Sequence, residues 1–200
     1  MKRLIFPLLT ALIAGAAHAA PSPPPAKGQA AAVFAGGCFW CTESDFDKVP
    51  GVISTTSGYI GGKSANPTYK QVSAGGSGHI EAVRIIYDPA RVSYANLAAR
   101  FIRTVDPTDG GGQFCDRGSQ YQSAFFVADA AERRIAEAVK ASAKAKLNKP
   151  VATQILPATQ FYSAENYHQD YYKKNPVRYR FYRLSCGRDA QLKRVWGAKG

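Results

Sequence analysis

The sequence predicts a single-domain α/β protein, a two-layer sandwich whose mixed sheet has a ferredoxin-like core. The predicted strands and helices follow one another in the order β-α-β-β-α-β-α-β, which favours two layers over a regular doubly wound sheet. No period of about 20–50 residues repeats along the chain, so a solenoid is excluded. Roughly 170 residues follow an N-terminal leader and spacer, which suits one compact domain with a sizeable core.

The chain begins with a segment typical of an exported protein. "MKRLIFPLLTALIAGAAHA" has a basic start, a short apolar run and an A-x-A cleavage signal that ends at Ala19. The apolar run is short for a membrane span and contains Pro7, so an uncleaved anchor is the less favoured alternative. We therefore expect a signal peptide at residues 1–19, cleavage after Ala19, and a periplasmic or secreted protein without stable membrane insertion.

The next segment, residues 20–30, is rich in proline and alanine and lacks apolar periodicity. This composition predicts an extended spacer between the leader and the folded domain. We assign residues 31–200 to that domain.

The formal net charge of +12 raises nucleic acid and anionic surfaces as possible partners. The densest basic run, "KKNPVRYRFYR", alternates arginines with aromatic residues, which could serve base stacking but is also the pattern of a half-buried strand. The other cations are scattered, and an exported protein rarely meets nucleic acid. We therefore expect a solvated basic surface and no nucleic-acid binding.

The first predicted elements are a strand, a helix and two further strands. The apolar run "AAVFAGG" ends in two glycines, as a buried strand does. Apolar residues then recur near helical spacing until a Pro-Gly pair, which predicts a helix over residues 38–48 with Cys38 at its N-terminus. "VISTTSGYIGG" and "HIEAVRIIYDP" are rich in β-branched residues and end at glycine or proline, so both predict strands.

The second half of the chain continues with helices and strands in alternation. Ser93 is a plausible cap for a helix with one apolar face, and a glycine cluster at 110–112 follows it as a loop. "YQSAFFVA" predicts a strand, "DAAERRIAEAVKASAKAKLN" a long helix with mixed surface charge, and "VATQIL" another strand. "SAENYHQDYYKKNP" predicts a short capped helix that ends before Pro176.

Cys38 and Cys41 are the first candidates for chemistry. The thiolate is the reactive form of cysteine, and a helix N-terminus lowers the pKa of a thiol, which is what we expect for Cys38. Residues three apart on a helix are neighbours, and their Cα separation suits a disulfide. Cys41 could therefore capture an oxidised Cys38.

Three alternatives compete with this interpretation of the two cysteines. A structural zinc site usually needs paired C-x-x-C motifs or paired histidines, whereas Cys115, Cys186, His79 and His168 are isolated from one another in sequence. A thioredoxin-like dithiol site usually has its tryptophan before the first cysteine, and here the aromatic pair lies between the two. A purely structural disulfide across so small a loop would stabilise little.

Glu81 is the second candidate. It shares strand parity with Val83, Ile85 and Tyr87, so its carboxyl group would lie on an apolar face, where desolvation raises its pKa. A carboxyl group that stays protonated near neutrality can serve as a general acid. The residues leave open that Glu81 lies at a solvated rim, or that the opposite face of the strand is the buried one.

Three polar residues lie in or beside glycine-rich loops, where functional groups are common. They are Asp116 and Tyr121 in "FCDRGSQYQSA" and Tyr69 in "NPTY". In a chain with 11 tyrosines, each tyrosine alone is a weak signal.

Five segments, in their order along the chain, closely resemble the A-type peptide methionine sulfoxide reductases. They are "GCFWCTESDFDKVPGVISTTSGYIGG", "NPTY", "GHIEAVRIIYDP", "DRGSQY" and "YHQDYYKKNP", and the similarity runs from about residue 33 to 176. The resemblance implies an α/β two-layer sandwich that reduces the S epimer of methionine sulfoxide, free or in proteins. It also implies repair of oxidised proteins without a metal or an organic cofactor.

The resemblance assigns roles to the candidates at the reacting sulfur and oxygen. Cys38 would attack the sulfoxide sulfur, Glu81 would supply a proton to the sulfoxide oxygen, and Tyr69 and Tyr121 would donate hydrogen bonds to that oxygen. Methionine would then leave, and Cys38 would remain as a sulfenic acid.

The same resemblance accounts for the residues around the nucleophile. Phe39 and Trp40 would hold the substrate methyl group in an apolar pocket, and Asp116 would support the site. A second thiol would condense with the sulfenic acid to a disulfide, which an external thioredoxin-like dithiol would reduce. We expect the enzyme to be a monomer.

The identity of the second thiol stays open at this point. Many members of the family have glycine where Cys41 stands and carry resolving cysteines in a glycine-rich C-terminal tail, whereas this tail has the single Cys186. Cys41, Cys186 and Cys115 are all candidates, and a structural disulfide between Cys115 and Cys186 is a further hypothesis for an oxidising compartment. A general thiol-disulfide oxidoreductase and a non-enzymatic basic binding module are the alternative functions.

Overall fold

The computed structural model describes residues 19–197, which contain nine strands and seven α-helices. The strands are β1 (Ala20–Pro21), β2 (Ala30–Gly36), β3 (Val52–Ile60), β4 (Ile80–Tyr87), β5 (Gly112–Gln113), β6 (Asp116–Arg117), β7 (Ser123–Val127), β8 (Gln154–Pro157) and β9 (Tyr162–Ser163). The helices are α1 (Phe39–Phe46), α2 (Tyr69–Ser73), α3 (Tyr94–Arg103), α4 (Ala130–Leu147), α5 (Tyr171–Lys174), α6 (Pro176–Ser185) and α7 (Arg188–Trp196). A 3₁₀ turn spans Ser119–Tyr121.

Seven strands form one mixed sheet in the order β1-β9-β3-β4-β2-β7-β8. Its neighbours are antiparallel except β7 and β8, which are parallel. The central part, β3-β4-β2-β7, is connected by α1 and α3 as a β-α-β-β-α-β unit, which is the ferredoxin-like arrangement. The predicted fold class, a single-domain two-layer α/β sandwich with a mixed sheet, is confirmed.

The main core lies between this sheet and the helices. The ring of Phe34 on β2 is stacked on Phe101 of α3 at 4.8 Å between centroids and also lies against Phe46 of α1. Phe125 of β7 meets the edge of the same cluster. Rings from β2, α1, α3 and β7 therefore fix α1 against the strand that precedes it, and this sets the position of Cys38.

The segment that we interpreted as a spacer lies along the edge of the sheet. β1 pairs with β9, Ser22 Oγ is 2.7 Å from Ser163 Oγ, and Arg84 donates a hydrogen bond to the carbonyl of Pro23. Residues 1–18, which make up nearly all of the predicted signal peptide, lie outside the described residues. Within residues 19–197, no helix combines the length and the apolarity that a membrane crossing needs.

The C-terminal region differs from its sequence pattern in two ways. Only Tyr171–Lys174 is helical within the predicted capped helix, because β9 and a series of turns occupy the residues before it. The basic run whose alternation suited a strand instead forms α6, and Pro176 occupies its first turn. Proline at that position is pre-organised for a helix, so it starts α6 rather than only ending the segment before it.

Candidate active site

Cys38 lies in the tight turn between β2 and α1, where it is the N-cap residue of the helix and is 6% exposed. The preceding Gly37 has φ +79°, and a Cβ atom there would lie 2.6 Å from Cβ of Gln113. Only glycine allows the backbone to turn at this point without moving the neighbouring strand. The turn therefore presents Cys38 at the end of the sheet.

Glu81 lies next to this turn, at the centre of the sheet on β4. Its Oε2 accepts a 3.0 Å hydrogen bond from the backbone N–H of Phe39, and its side chain is 2% exposed. Burial raises the pKa of Glu81 to about 8, although the Phe39 N–H opposes the shift. The carboxyl group is consequently neutral near pH 7, which decides between the buried and solvated positions that the sequence left open.

A small cavity of about 60 Å³ opens at this point of the sheet. The cavity is lined by the seven residues predicted to bind and reduce the sulfoxide, and by one further residue that the sequence did not indicate. Cys41, the candidate resolving thiol, is not among the lining residues. The lining residues are Cys38, Phe39, Trp40, Tyr69, Glu81, Asp116, Tyr121 and Tyr182. The sulfur, the carboxyl group, phenol hydroxyls and aromatic faces thus converge on a space that holds one small functional group.

The two predicted tyrosines are held by different elements. Tyr69 begins α2, and its backbone N–H donates a 2.8 Å hydrogen bond to Glu165, which also accepts from the Tyr59 hydroxyl. Burial raises the pKa of Tyr69 to about 12 and also raises the pKa of Tyr121. Both hydroxyls are therefore protonated near neutrality and can donate hydrogen bonds into the cavity.

Trp40 is clamped by three side chains that the sequence analysis did not assign. Its Nε1–H donates a 3.1 Å hydrogen bond to Nδ1 of His168, and its ring stacks on Tyr171 at 3.8 Å with an interplanar angle of 7°. Tyr182 meets the same ring edge-on. Burial lowers the pKa of His168 to about 4, so this imidazole is neutral and accepts the hydrogen bond.

Asp116 reaches the cavity through a loop that is fastened to α6. It accepts a hydrogen bond from the Tyr182 hydroxyl, and burial raises the pKa of its carboxyl group. The adjacent Cys115 forms a disulfide with Cys186, with the two Cα atoms 5.0 Å apart. The C-terminal end of α6 is therefore covalently joined to the β5–β6 hairpin beside the cavity.

Cys115, Asp116 and Cys186 form the one cluster of potential metal ligands found within residues 19–197. Their ligand atoms lie within 4.8 Å of one another, but two of these atoms are the sulfurs of the Cys115–Cys186 disulfide. The pairs that a C-x-x-C zinc site would need do not come together, because Cys38 and Cys41 lie in a separate free thiol pair.

Cys41 lies one turn after Cys38 on α1 and is 2% exposed. Burial raises the pKa of the Cys38 thiol well above its usual range, and the neighbouring Cys41 and Glu81 add to this effect. The expectation that the helix N-terminus would lower the pKa of Cys38 is therefore wrong, because desolvation outweighs the dipole in so closed a turn. The hydrogen bond from Cys38 and the charges of Arg188 and Arg183 lower the pKa of Cys41 to about 7.

Known proteins share both the sequence and the fold. Residues 30–200 match the family model described as peptide methionine sulfoxide reductase. Peptide methionine sulfoxide reductase MsrA 2 of Rhizobium meliloti is 54% identical over 166 residues, which cover 83% of each chain. The protein of the same description from Caulobacter vibrioides is 52% identical over 198 residues, covering 98% of this chain and 100% of the relative. The solved structure of methionine sulfoxide reductase A of Corynebacterium diphtheriae has a TM-score of 0.71 and 33% identity, and the match covers 82% of this chain and 87% of that one.

Proposed function

Since this chain belongs to the peptide methionine sulfoxide reductase family, we propose how its own side chains reduce methionine sulfoxide to methionine. The enzyme is an oxidoreductase whose electrons come from thiols. One observation carries the proposal: the sulfur of Cys38 and the neutral carboxyl group of Glu81 share a single small cavity with aromatic walls.

The cavity fits the methylsulfoxide group of the substrate side chain. Phe39 and Trp40 offer apolar faces to the methyl group, while Glu81, Tyr69 and Tyr121 offer O–H donors to the oxygen. Because a sulfoxide sulfur is chiral, a fixed methyl site and a fixed oxygen site leave the lone-pair side of only one epimer open to Cys38. We assign that selectivity to the S epimer, in free methionine sulfoxide and in oxidised proteins that the enzyme repairs.

In the first step the sulfur of Cys38 attacks the sulfoxide sulfur as Glu81 protonates the oxygen. The proton of the Cys38 thiol passes to its hydrogen-bond partner Cys41 and from there replaces the proton that Glu81 has given up, so Cys41 is again a thiolate; the oxygen is transferred to Cys38. Methionine leaves, and Cys38 remains as a sulfenic acid, so the sulfoxide has been reduced by two electrons. Asp116 and Tyr182 hold the loop side of the cavity during this step.

In the second step Cys41 condenses with the sulfenic acid of Cys38. A Cys38–Cys41 disulfide forms and one water molecule is released. An external dithiol then reduces this disulfide through a mixed disulfide and is itself oxidised. A thioredoxin-like protein suits this role, because its dithiol reduces a disulfide by thiol–disulfide exchange. The Cys115–Cys186 disulfide then has a structural role.

We place the enzyme outside the cytoplasm and as a monomer. Support for export comes from the basic start, the apolar run and the A-x-A signal in residues 1–19. A structural disulfide also suits an oxidising compartment. Cleavage after Ala19 can be checked by N-terminal sequencing of the exported protein, and the monomer by its mass in solution.

Turnover of the separated S and R epimers tests the proposed function. Wild type should reduce only the S epimer with dithiothreitol, and Cys38→Ser should abolish methionine formation. Cys41→Ser should form one equivalent of methionine but should not be recycled by thioredoxin. Recycling of that variant would move the resolving role to Cys115 or Cys186. If neither epimer is reduced while a disulfide substrate is, the chain is a thiol-disulfide oxidoreductase and the proposal is wrong.

A further inference from the structure

The C-terminal helices bring an arginine to the immediate surroundings of Cys41. Arg183 of α6 donates through Nη1 to Oδ1 of Asp45 at 2.8 Å and to the hydroxyl of Tyr179 at 3.0 Å. Asp45 lies one turn after Cys41 on α1, and the buried Tyr179 packs in one cluster with Cys38 and Cys41. Arg183 therefore touches both groups that flank the second thiol.

A second arginine enters the same region from α7. Arg188 is 1% exposed and donates to the carbonyl oxygens of Gly36 at 3.1 Å and Thr104 at 2.7 Å. Its Nη2 is 3.7 Å from Oδ2 of Asp45, and its guanidinium group lies over the ring of Phe114. Gly36, one of the two residues whose carbonyl accepts from Arg188, ends β2 and lies two residues before Cys38.

The two guanidinium groups share one partly buried carboxylate. Asp45 interacts with both, while the other acidic partner of Arg183 is Asp189, whose side chain is 61% exposed. A buried cation needs a nearby anion or strong hydrogen bonds. Arg188 also interacts with Asp116 and Asp189. Asp45 is nevertheless the carboxylate that both arginines contact on α1, the helix that carries Cys41.

The two arginines lie where their positive charge acts on the sulfur of Cys41. Arg183 and Arg188 favour the ionised form of Cys41, and Asp45 opposes it. Cys38, the N-cap of the same helix, donates to the Cys41 sulfur, and the ionisation of Glu81 on β4 and of Tyr179 on α6 also interacts with Cys41. Asp116 and Asp189 act on the same region through Arg183 and Arg188. The charged and titratable groups around the second thiol are thus Cys38, Asp45, Glu81, Asp116, Tyr179, Arg183, Arg188 and Asp189.

We propose that Arg183 and Arg188 are positioning residues that hold Cys41 as a thiolate for its attack on oxidised Cys38. In that step the Cys41 sulfur bonds to the Cys38 sulfur and the S–O bond breaks. Hydroxide leaves and takes a proton from solvent to become water, so the disulfide forms without an external oxidant. This inference rests on the function proposed above. It means that the C-terminal tail of this chain contributes cations to the resolving step rather than a resolving sulfur.

The test isolates the ionisation of Cys41. In a Cys38→Ser protein with the Cys115–Cys186 disulfide intact, the ultraviolet absorbance of the thiolate reports Cys41 as pH is varied. Arg183→Gln in this background should raise the midpoint by about 1 to 2 pH units, since an opposite charge close by shifts a pKa by that order. Arg183→Lys keeps the charge, so the pH midpoint of the Cys41 titration should stay close to that of the protein with Arg183. Arg180→Gln, on the exposed side of α6, is the matched control and should change nothing.

A second variant should shift the pH midpoint of Cys41 ionisation in the opposite direction. Asp45→Asn removes the anion and keeps hydrogen-bonding atoms, so it should lower the midpoint of Cys41. With Cys38 restored, Arg183→Gln should slow disulfide formation after one turnover about tenfold at pH 7, and the rate should recover at higher pH. Methionine formation in that same turnover reports the proposed function separately.

Three results would overturn the inference. The midpoint could be the same in Arg183→Gln and wild type, it could rise equally in the Gln and Lys variants, or Asp45→Asn could raise it. A wild-type enzyme that forms no methionine would instead contradict the proposed function, and the thiolate titration would still report on the arginines.

Discussion

The backbone N–H of Phe39 donates a 3.0 Å hydrogen bond to Oε2 of Glu81. The bond joins the first residue of α1 to the central strand β4, so the residue next to the nucleophile fixes the acid. Because Oε2 accepts this bond through a lone pair, the proton of the neutral carboxyl group lies on the other oxygen. Glu81 is thereby oriented as a donor before the substrate arrives.

Activity should depend on the protonated form of Glu81. Since burial raises the pKa of this group to about 8, kcat/KM should fall as the pH rises through that value. Glu81→Gln should lower kcat/KM about 100- to 10,000-fold, because an amide keeps a hydrogen bond but transfers no proton. Glu43→Gln is the matched control, since Glu43 is equally buried, bonds to the Asp170 N–H and lies outside the cavity. Near-wild-type rates for Glu81→Gln would contradict the assignment.

The same carboxyl group should cost stability as the pH rises. In the unfolded chain Glu81 ionises near the usual value of 4.5, whereas in the fold it stays neutral up to about 8. Its contribution is therefore complete below pH 4.5 and is lost as the pH rises towards 8. Glu81→Gln should raise Tm relative to wild type at pH 8, and the difference should become smaller at pH 5. A difference that does not vary between these pH values would show that the folded-state pKa is not raised.

Loss of the ring under Trp40 should weaken substrate binding. Tyr171→Ala removes the face that stacks on Trp40, so the indole is held only by His168 and Tyr182. We expect KM for methionine sulfoxide to rise about 3- to 10-fold with a smaller change in kcat, in line with the usual energy of an aromatic pair. Tyr172→Ala, whose hydroxyl bonds Asp47 instead, should leave KM unchanged. Equal effects of the two substitutions would contradict a specific role for Tyr171.

Alkylation of the untreated protein after it has been unfolded should distinguish its free thiols from its disulfide. Cys38 and Cys41 should be labelled, and Cys115 and Cys186 should remain joined. The Cys115→Ser/Cys186→Ser protein should lose about 2 to 4 kcal/mol of unfolding free energy in denaturant. It should still form one methionine per chain and be recycled by thioredoxin. Alkylation of both Cys115 and Cys186 in the untreated native protein would show that the bridge between them is absent.

Most of the fold follows from local patterns in the sequence. The apolar run before Cys38, the strands that end just before Gly61 and just before Asp88, and the long helix α4 each have a period and a stop signal within one segment. The site residues were identifiable because they lie in a few short motifs. The turn after Gly37 indicates a nucleophile at Cys38, whereas the parity of Glu81 left its burial open and the family resemblance supplied its role as the acid.

The remaining features depend on contacts between distant segments. His168 and Tyr171 meet Trp40 only once the turns after β9 have folded, and no spacing in the sequence relates them. The four-residue alternation of arginine and aromatic residues at 178–181 suited a strand, but Pro176 and the contact of Tyr179 with the thiol pair favour a helix. The pKa of Cys38 was misjudged because its burial comes from other elements.

Tyr182, Arg183, Cys186 and Arg188 all lie in α6, in α7 or in the short turn between them, the last described part of the chain. During synthesis the ribosome releases all nine strands, with Cys38, Cys41 and Glu81, before it releases these four residues. A nascent chain can thus assemble its sheet while the cavity still lacks a wall and the second thiol lacks its cations. Enzymatic competence therefore requires that translation has passed α7.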